Sequence, residues 1–159
     1  MSGLGKNIVA EIGAGYALAS TSVTAGGSGD ATLITGATIN TASALTAPAI
    51  YPKDFNSVAF IIGGTATLAA TKSITVTALI EDSADGSTWA TLVASATVIS
   101  VTSTGGGTVT FTGKIGADLT AARQYVRVKA TPDLSATGTD TAVVFGVAVF
   151  GGAVEKPVA

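Results

Sequence analysis

Short runs of branched apolar residues, interrupted by clusters of glycine, repeat along most of this sequence and constrain its fold more than any other feature. The glycine clusters lie at residues 26–29, 63–64, 105–107 and 151–152. Thr and Val, which are abundant between them, favour the pleated surface of a strand because branching at Cβ restricts χ1. No long helical period intervenes, and the sequence therefore predicts an all-β protein.

Two of the runs alternate between apolar and more polar residues, as expected of a strand with one buried face. They cover residues 73–81 and 124–131. The second run is expected to direct Tyr125, Arg127 and Lys129 outward. The side chains expected to share the buried face are Ile74, Val76, Ala78 and Ile80 in the first run and Val126, Val128 and Ala130 in the second.

Five further strands complete a predicted set of seven. They lie at residues 57–62, 88–94, 98–102, 108–112 and 142–150. The first is almost entirely apolar, which predicts a strand covered on both faces. The third and fourth flank a run of three glycines, and this arrangement predicts a hairpin with a flexible tip. The last has four apolar residues on one face, namely Val143, Phe145, Val147 and Val149.

Closely spaced strands without helices are typical of a β-sandwich or a closed barrel, and we favour an antiparallel β-sandwich of jelly-roll or immunoglobulin-like kind. We expect this domain to occupy residues 51–159. Residues 1–50 lack strong alternation and are predicted to form an extended arm that is ordered by contact with another molecule. The alternative is that this segment supplies edge strands of the same domain, with short strands at residues 32–35 and 37–40.

The acidic segment EDSADGSTWATL at residues 81–92 raises the question of a metal site. In an EF-hand calcium loop the twelfth position must be Glu, but here it is Leu92, and strands rather than helices flank the segment. Asp and Ser side chains also hydrogen-bond nearby backbone groups, and Gly86 accepts a positive φ. We therefore predict a turn between two strands, after which Trp89 begins the second strand and caps the end of the core.

The composition argues against catalysis, redox chemistry and nucleic-acid binding. The chain of 159 residues has no histidine and no cysteine, so it lacks the most frequent general base, the most frequent metal ligand and every thiol. Its eight basic residues are spread along a chain of net charge −2, whereas binding to phosphates needs clustered cations. No apolar run approaches the roughly 20 residues of a membrane span. We expect no enzyme, cofactor, metal, nucleic-acid partner or membrane partner.

Only 11% of the residues are charged, against a usual share of about 25%, which suits a protein packed against copies of itself or against a partner. Two sets of residues are candidates for such contacts: Ile8, Ile12 and Tyr16 near the amino terminus, and Tyr125, Arg127 and Lys129 in the strand at residues 124–131. The second set would contact an acidic partner surface. Its alternative role is that of a charged, exposed strand that resists edge-to-edge pairing.

Two short motifs occur in a fixed order in the second half of the chain. SADGSTW at residues 83–89 has the form of a DGS-T-aromatic turn, and RQYVRVKAT at residues 123–131 has the form of an R-Y-x-R-V strand with Gln124 inserted. A glycine-rich stretch lies between them, and a final strand ends in VFGG at residues 149–152. Over about residues 74–152 this combination resembles the small virion proteins of tailed bacteriophages.

The resemblance implies a decoration, or cement, protein that is made in the host cytoplasm and binds the outer surface of a viral capsid. Its implied partners are the major capsid protein and further copies of itself, in a homo-oligomer for which a trimer is favoured. One alternative is another virion component, such as a tail-tube or head-fibre subunit. A second alternative is a carbohydrate-binding module, which would need exposed aromatic residues.

Overall fold

The computed structural model describes residues 13–41, 55–136 and 138–153, and within these ranges the chain forms nine β-strands and no helix. The strands are β1 (Gly13–Thr24), β2 (Ile34–Thr35), β3 (Ile39–Asn40), β4 (Phe55–Leu68), β5 (Ser73–Ser83), β6 (Trp89–Thr102), β7 (Gly107–Asp118), β8 (Tyr125–Leu134) and β9 (Thr141–Ala153). They form two antiparallel sheets with a common core, which confirms the predicted all-β sandwich.

The four-stranded sheet has the order β1–β9–β4–β7. The five-stranded sheet has the order β2–β8–β5–β6, and β3 also pairs with β8. Apart from β2–β3 and β5–β6, every two consecutive strands lie in different sheets. The two sheets are therefore joined by repeated crossings of the chain, and β1 and β7 form the two edges of the four-stranded sheet.

The core lies between the sheets and consists mainly of aliphatic side chains. Burial follows the alternation predicted for residues 73–81 and 124–131, so both of those predictions are confirmed. Each fully buried large apolar side chain contributes about 1.5 to 3 kcal/mol to stability. The largest of them are Leu18, Val23, Phe60, Ile62, Ile74, Val76, Ile80, Val126, Val128 and Val144.

Two predictions about the middle of the chain are wrong. Residues 88–94 and 98–102 belong to one strand, β6, so six strands rather than seven follow residue 55. The hairpin predicted around residues 105–107 does not form, because β6 pairs with β5 whereas β7 pairs with β4 in the other sheet. A run of glycines indicates a change of chain direction but not which sheet the next strand joins. Here Gly106 and Gly107, both at positive φ, lie where the chain crosses between the sheets.

The prediction that the strand at residues 57–62 is covered on both faces is also wrong. β4 buries Val58, Phe60 and Ile62, but Ile61 on its other face is exposed. The four apolar residues of β9 do share one face, as predicted, and that face points away from the core. The inner side of β9 includes Gly146, beside which Leu18 of the neighbouring strand β1 fills the space. A Cβ added at Gly146 would lie 3.1 Å from Cδ1 of Leu18.

The described part of the amino-terminal segment contributes strands to both sheets. β1 pairs with β9, and β2 and β3 pair with β8. This arrangement corresponds to the edge-strand alternative, and the short strands predicted at residues 32–35 and 37–40 are found as β2 and β3. The predicted boundary between residues 50 and 51 lies outside the described residues.

Two glycines allow the sheets to approach each other closely along their edges. A Cβ at Gly36, between β2 and β3, would lie 2.6 Å from the Ala17 carbonyl oxygen of β1. The neighbouring Ala37 N–H donates to that same oxygen at 2.7 Å. At the other edge, a Cβ at Gly113 of β7 would collide with the Val98 carbonyl oxygen of β6. Backbone therefore packs on backbone at both seams of the sandwich.

Candidate functional site

A group of exposed apolar side chains lies on the outward side of the four-stranded sheet. It consists of Tyr16 on β1, Ile61 on β4, and Val143, Phe145 and Val147 on β9, which are between 37% and 58% exposed. We call these five residues the outer face. Single exposed apolar residues are ordinary, whereas a contiguous group of them is typical of a surface that another molecule covers.

Strand pairing shows that the outer face is contiguous. Tyr16 lies beside Val147, and Val147 lies beside Ile61, so one row of side chains crosses three strands. In the next row Phe145 lies beside Gly63, where a Cβ would be 3.7 Å from Cζ of the phenylalanine ring. Because Gly63 has no side chain, a shallow depression remains beside the protruding ring. The outer face thus presents a projection and a depression next to each other.

Uncharged polar side chains continue the surface around the outer face. Seven threonines on the same side of the sheet are Thr24, Thr65, Thr67, Thr108, Thr110, Thr112 and Thr141. In the described strands of this sheet the only charged residues are Lys114 and Asp118, both on β7 and both exposed. A partner that covers this surface would therefore remove few charges from water, which keeps the cost of desolvation low.

The outward side of the five-stranded sheet has a different chemistry. Glu81 of β5 accepts hydrogen bonds from Nε of Arg127 at 2.7 Å and from Nζ of Lys129 at 3.0 Å. Burial has the largest effect on Glu81 and would raise its pKa, but the hydrogen bonds and charges of Lys129 and Arg127 together lower the pKa. Both cations are thus paired within the chain.

Trp89 belongs to this ion cluster. It begins β6, as predicted, and Cζ of Arg127 lies 3.8 Å from the centroid of its ring, which is a cation–π contact. It is not a member of the core cluster, so the prediction that it caps the core is wrong. The flat indole ring is used here to position the guanidinium that pairs with Glu81.

Asp82, the next residue along β5, is only 6% exposed and has its own cation. Its Oδ1 accepts a hydrogen bond from Nη2 of Arg123 at 2.6 Å, and its Oδ2 accepts one from the Arg123 backbone N–H at 2.8 Å. The side-chain hydrogen bond from Arg123 is the main cause that lowers the pKa of Asp82, and it outweighs the opposite effect of burial. This pairing attaches the segment before β8 to the end of β5.

The segment between β5 and β6 is a turn, as predicted. Oδ1 of Asp85 accepts hydrogen bonds from the N–H groups of Ser87 at 2.8 Å and Thr88 at 2.7 Å. The Ser83 hydroxyl accepts one from the Gly86 N–H at 3.0 Å, and Gly86 has a φ of 74°. These hydrogen bonds, led by the one from the Thr88 N–H, strongly lower the pKa of Asp85. The Asp85 carboxylate therefore stabilises the turn through these hydrogen bonds.

The structure separates the six residues predicted to contact a partner. Tyr16 lies on the outer face, whereas Tyr125, Arg127 and Lys129 lie on the other sheet. The remaining two, Ile8 and Ile12, lie outside the described residues. Whether any of the six contacts a partner stays a prediction.

Sequence reasoning missed Ile61, Val143, Phe145 and Val147 as surface residues. The available signal was a strand that is apolar on both sides. In a two-layer sandwich each strand buries only the face that points to the other sheet, so the second apolar face of such a strand lies on the surface.

Across residues 13–41, 55–136 and 138–153, no group of three or more acidic, cysteine or histidine side chains could hold a metal ion. The same ranges contain no helix of the length and hydropathy needed to cross a membrane. Among the described residues the outer face is therefore the strongest candidate for a functional surface.

No protein-family model matches the sequence, and no curated protein matches it closely. Among solved structures, the chain is similar to part of a chain in the "Structure of infectious bursal disease virus Gx strain", with 13% identity and a TM-score of 0.48. The likeness covers 91% of this chain and 34% of that chain, so this chain spans about a third of the length of its match.

Proposed function

We propose that this chain is a non-enzymatic structural protein of a virion, of the decoration or cement kind, that binds the outside of a capsid through its outer face. The observation that carries the proposal is the contiguous group of Tyr16, Ile61, Val143, Phe145 and Val147, on a sheet whose described strands hold no charged residues except Lys114 and Asp118. The motifs shared with small phage virion proteins support the virion setting. The proposed partners are the major capsid protein and further copies of the chain.

The chemistry of the outer face suits a protein present in many copies. Each contact can be weak, because symmetry repeats it and multivalent attachment multiplies its effect. Tyr and Phe supply large apolar areas with few rotatable bonds, so that covering them costs little side-chain entropy. The threonines around them offer hydrogen bonds without the desolvation cost of ions.

The paired cations of the other sheet offer less to a partner. Arg127 and Lys129 each have a side-chain exposure of only 17%, and both are bonded to Glu81. An acidic partner surface would have to displace this carboxylate before it gained an ion pair. We therefore assign the main attachment to the outer face.

The proposal is tested by co-sedimentation of the purified chain with capsid shells that lack it. We expect Phe145→Asp and Val147→Asp to weaken binding by about tenfold or more, because each places a charge in the apolar contact. Leu33→Asp is the matched control, since Leu33 is another exposed apolar residue, 48% exposed, that lies outside the outer face. This control should bind as the unchanged chain does.

Saturating amounts of the unchanged chain should also raise the temperature at which the shells break open, and Phe145→Asp should abolish that effect. Circular dichroism should show that each variant keeps its β-structure. Equal loss of binding in Leu33→Asp and Phe145→Asp would contradict the role of the outer face. A chain that binds no shell and instead hydrolyses a substrate would overturn the proposed function.

A further inference from the structure

The edge of the four-stranded sheet formed by β7 is open and carries the only charged residues of the described strands in that sheet. β7 pairs with β4 along its whole length, from Gly107 to Asp118, and no other described strand pairs with its second edge. An open edge exposes backbone donors and acceptors that another strand can use, and natural proteins rarely leave a long one unprotected. The other edge of this sheet is partly covered, because the Ala37 N–H bonds to Ala17 of β1.

The direction of the backbone groups on β7 can be inferred from one hydrogen bond. Just after the strand, the Leu119 N–H donates to the Asn56 carbonyl oxygen at 2.7 Å, on the side of β4. Because successive residues of a strand direct their N–H and C=O groups to opposite sides, those of Lys114, Gly116 and Asp118 point to the open edge. The residues that could pair with a new strand therefore include both charged residues.

The charges of this edge are complementary to those of a second copy. In an antiparallel pair of β7 strands related by a two-fold axis at Gly116, Lys114 of each copy lies opposite Asp118 of the other. Both side chains are exposed and lie on the same side of the sheet, so two cross-strand ion pairs form. Gly116 at the axis has no side chain to separate the backbones.

The charges also select this register over its neighbours. An axis at Lys114 or at Asp118 would place like charges opposite each other, and an axis at residue 115 or 117 would place each charge opposite an uncharged residue. A register that places odd-numbered residues of one copy opposite even-numbered residues of the other would leave the backbone N–H and C=O groups of the two strands out of alignment. It would also place Lys114 of one copy and Asp118 of the other on opposite sides of the sheet. The axis at Gly116 is thus the one arrangement near this end of β7 that satisfies the hydrogen bonds and both charges.

We propose that two copies of this chain associate through their β7 edges in the register that pairs Lys114 with Asp118, so that the two four-stranded sheets form one continuous sheet of eight strands. The outer faces of the two copies would then lie side by side on one surface. This inference does not depend on the capsid role proposed above. It predicts a pairwise contact, whereas the resemblance to phage virion proteins implies a trimer.

The first test is sedimentation equilibrium of the purified chain over a range of concentrations. We expect a monomer–dimer equilibrium. Lys114→Asp and Asp118→Lys should each weaken association about tenfold, because each single change places like charges opposite each other at both cross-strand pairs. The double variant Lys114→Asp/Asp118→Lys should restore association. Lys72→Asp changes the charge of an exposed lysine before β5 in the same way and should not affect association.

The second test locates the contact. Lys114 and Asp118 are four residues apart on one strand, about 13 Å, which is too far for a direct amide bond within one chain. A carbodiimide should therefore join them only between copies, and an equal mixture of ¹⁴N- and ¹⁵N-labelled chains should give mixed cross-linked peptides. A chain that stays monomeric, forms only trimers, or cross-links elsewhere would overturn the inference. Failure of the double variant to restore association would overturn the register.

Discussion

Glu81 and Asp82 are neighbours on β5, yet they point to opposite sides of the five-stranded sheet and are held by different cations. Glu81 pairs with Arg127 and Lys129 on the outward side, and Asp82 pairs with Arg123 at the end of the core. The sequence predicted the turn after them correctly, because Asp, Ser and Gly have local backbone preferences. It did not predict the ion pairs, since these join residues that lie more than 40 positions apart.

These pairs predict how stability depends on pH. The pKa values of both carboxyls are lower in the folded chain than the ordinary value. Their ionised forms therefore stabilise the fold above about pH 4, and this stabilisation is lost as the pH falls through the lowered values. We expect Asp82→Asn to reduce the free energy of unfolding at pH 7 by about 1 to 3 kcal/mol, because a charge-assisted hydrogen bond is lost.

Urea titrations between pH 7 and pH 2 provide the measurement. Asp82→Asn should also flatten the decline of stability at acidic pH, because it removes one of the titrating groups. Asp133→Asn is a suitable control, since Asp133 is exposed and has no ion pair among the described residues. The same pH profile in Asp82→Asn and the unchanged chain would contradict this account.

At the scale of strands, the success of prediction depended on whether the two sides of a strand differ. β5 and β8 alternate clearly, so their buried sides were predicted correctly. β9 is apolar on both sides, and the sequence did not show that Phe145 points outward while Ala148 points inward. That choice depends on the space left by Leu18 and other side chains of neighbouring strands, which is a property of the assembled core. The outer face was not predicted for the same reason.

The seam between β6 and β7 gives a prediction for this scale. We expect Gly113→Ala to lower the free energy of unfolding by about 2 kcal/mol or more, because its Cβ would collide with the Val98 carbonyl oxygen and the two strands would have to separate. Gly105→Ala is the matched control: nothing lies within 4 Å of a Cβ there. Its effect should stay within about 0.5 kcal/mol.

Thermal or urea unfolding of the two variants side by side measures this difference. Equal stability of Gly113→Ala and Gly105→Ala would show that the close approach of β6 and β7 does not constrain the fold. A loss confined to Gly113→Ala would identify this seam as a fixed contact between the two sheets.

At the scale of the whole molecule, the described part of the amino-terminal segment is integrated into both sheets. β1 contributes the buried residues Leu18 and Val23, and β3 contributes Ile39. The sequence did not decide between an arm and edge strands, because Ala, Ser, Thr and Gly show little contrast between a buried and an exposed side. β1 is held mainly by its pairing with β9, more than 100 residues further along the chain.

This integration predicts the result of truncation. Deletion of residues 1–45 removes three strands and the burial of Leu18, Val23 and Ile39, which together contribute about 5 kcal/mol or more. Since domains of this size are stable by only about 5 to 15 kcal/mol, we expect the truncated chain to unfold or aggregate. Deletion of residues 1–12 removes no described strand and serves as the control. Circular dichroism on heating distinguishes the two, and a cooperative transition after the longer deletion would contradict the prediction.

The pairing of Gly13 with Phe150 brings the first and last described strands together at one end of the same sheet. Tension between these two ends would fall on one hydrogen-bonded pair at a time, so the β1–β9 ladder would open like a zipper instead of sharing the load along its length. Stretching a single molecule from residues 13 and 153 should accordingly release β1 first and at low force. A copy of the chain held at both of these ends would yield at this strand before the remaining sheets came apart.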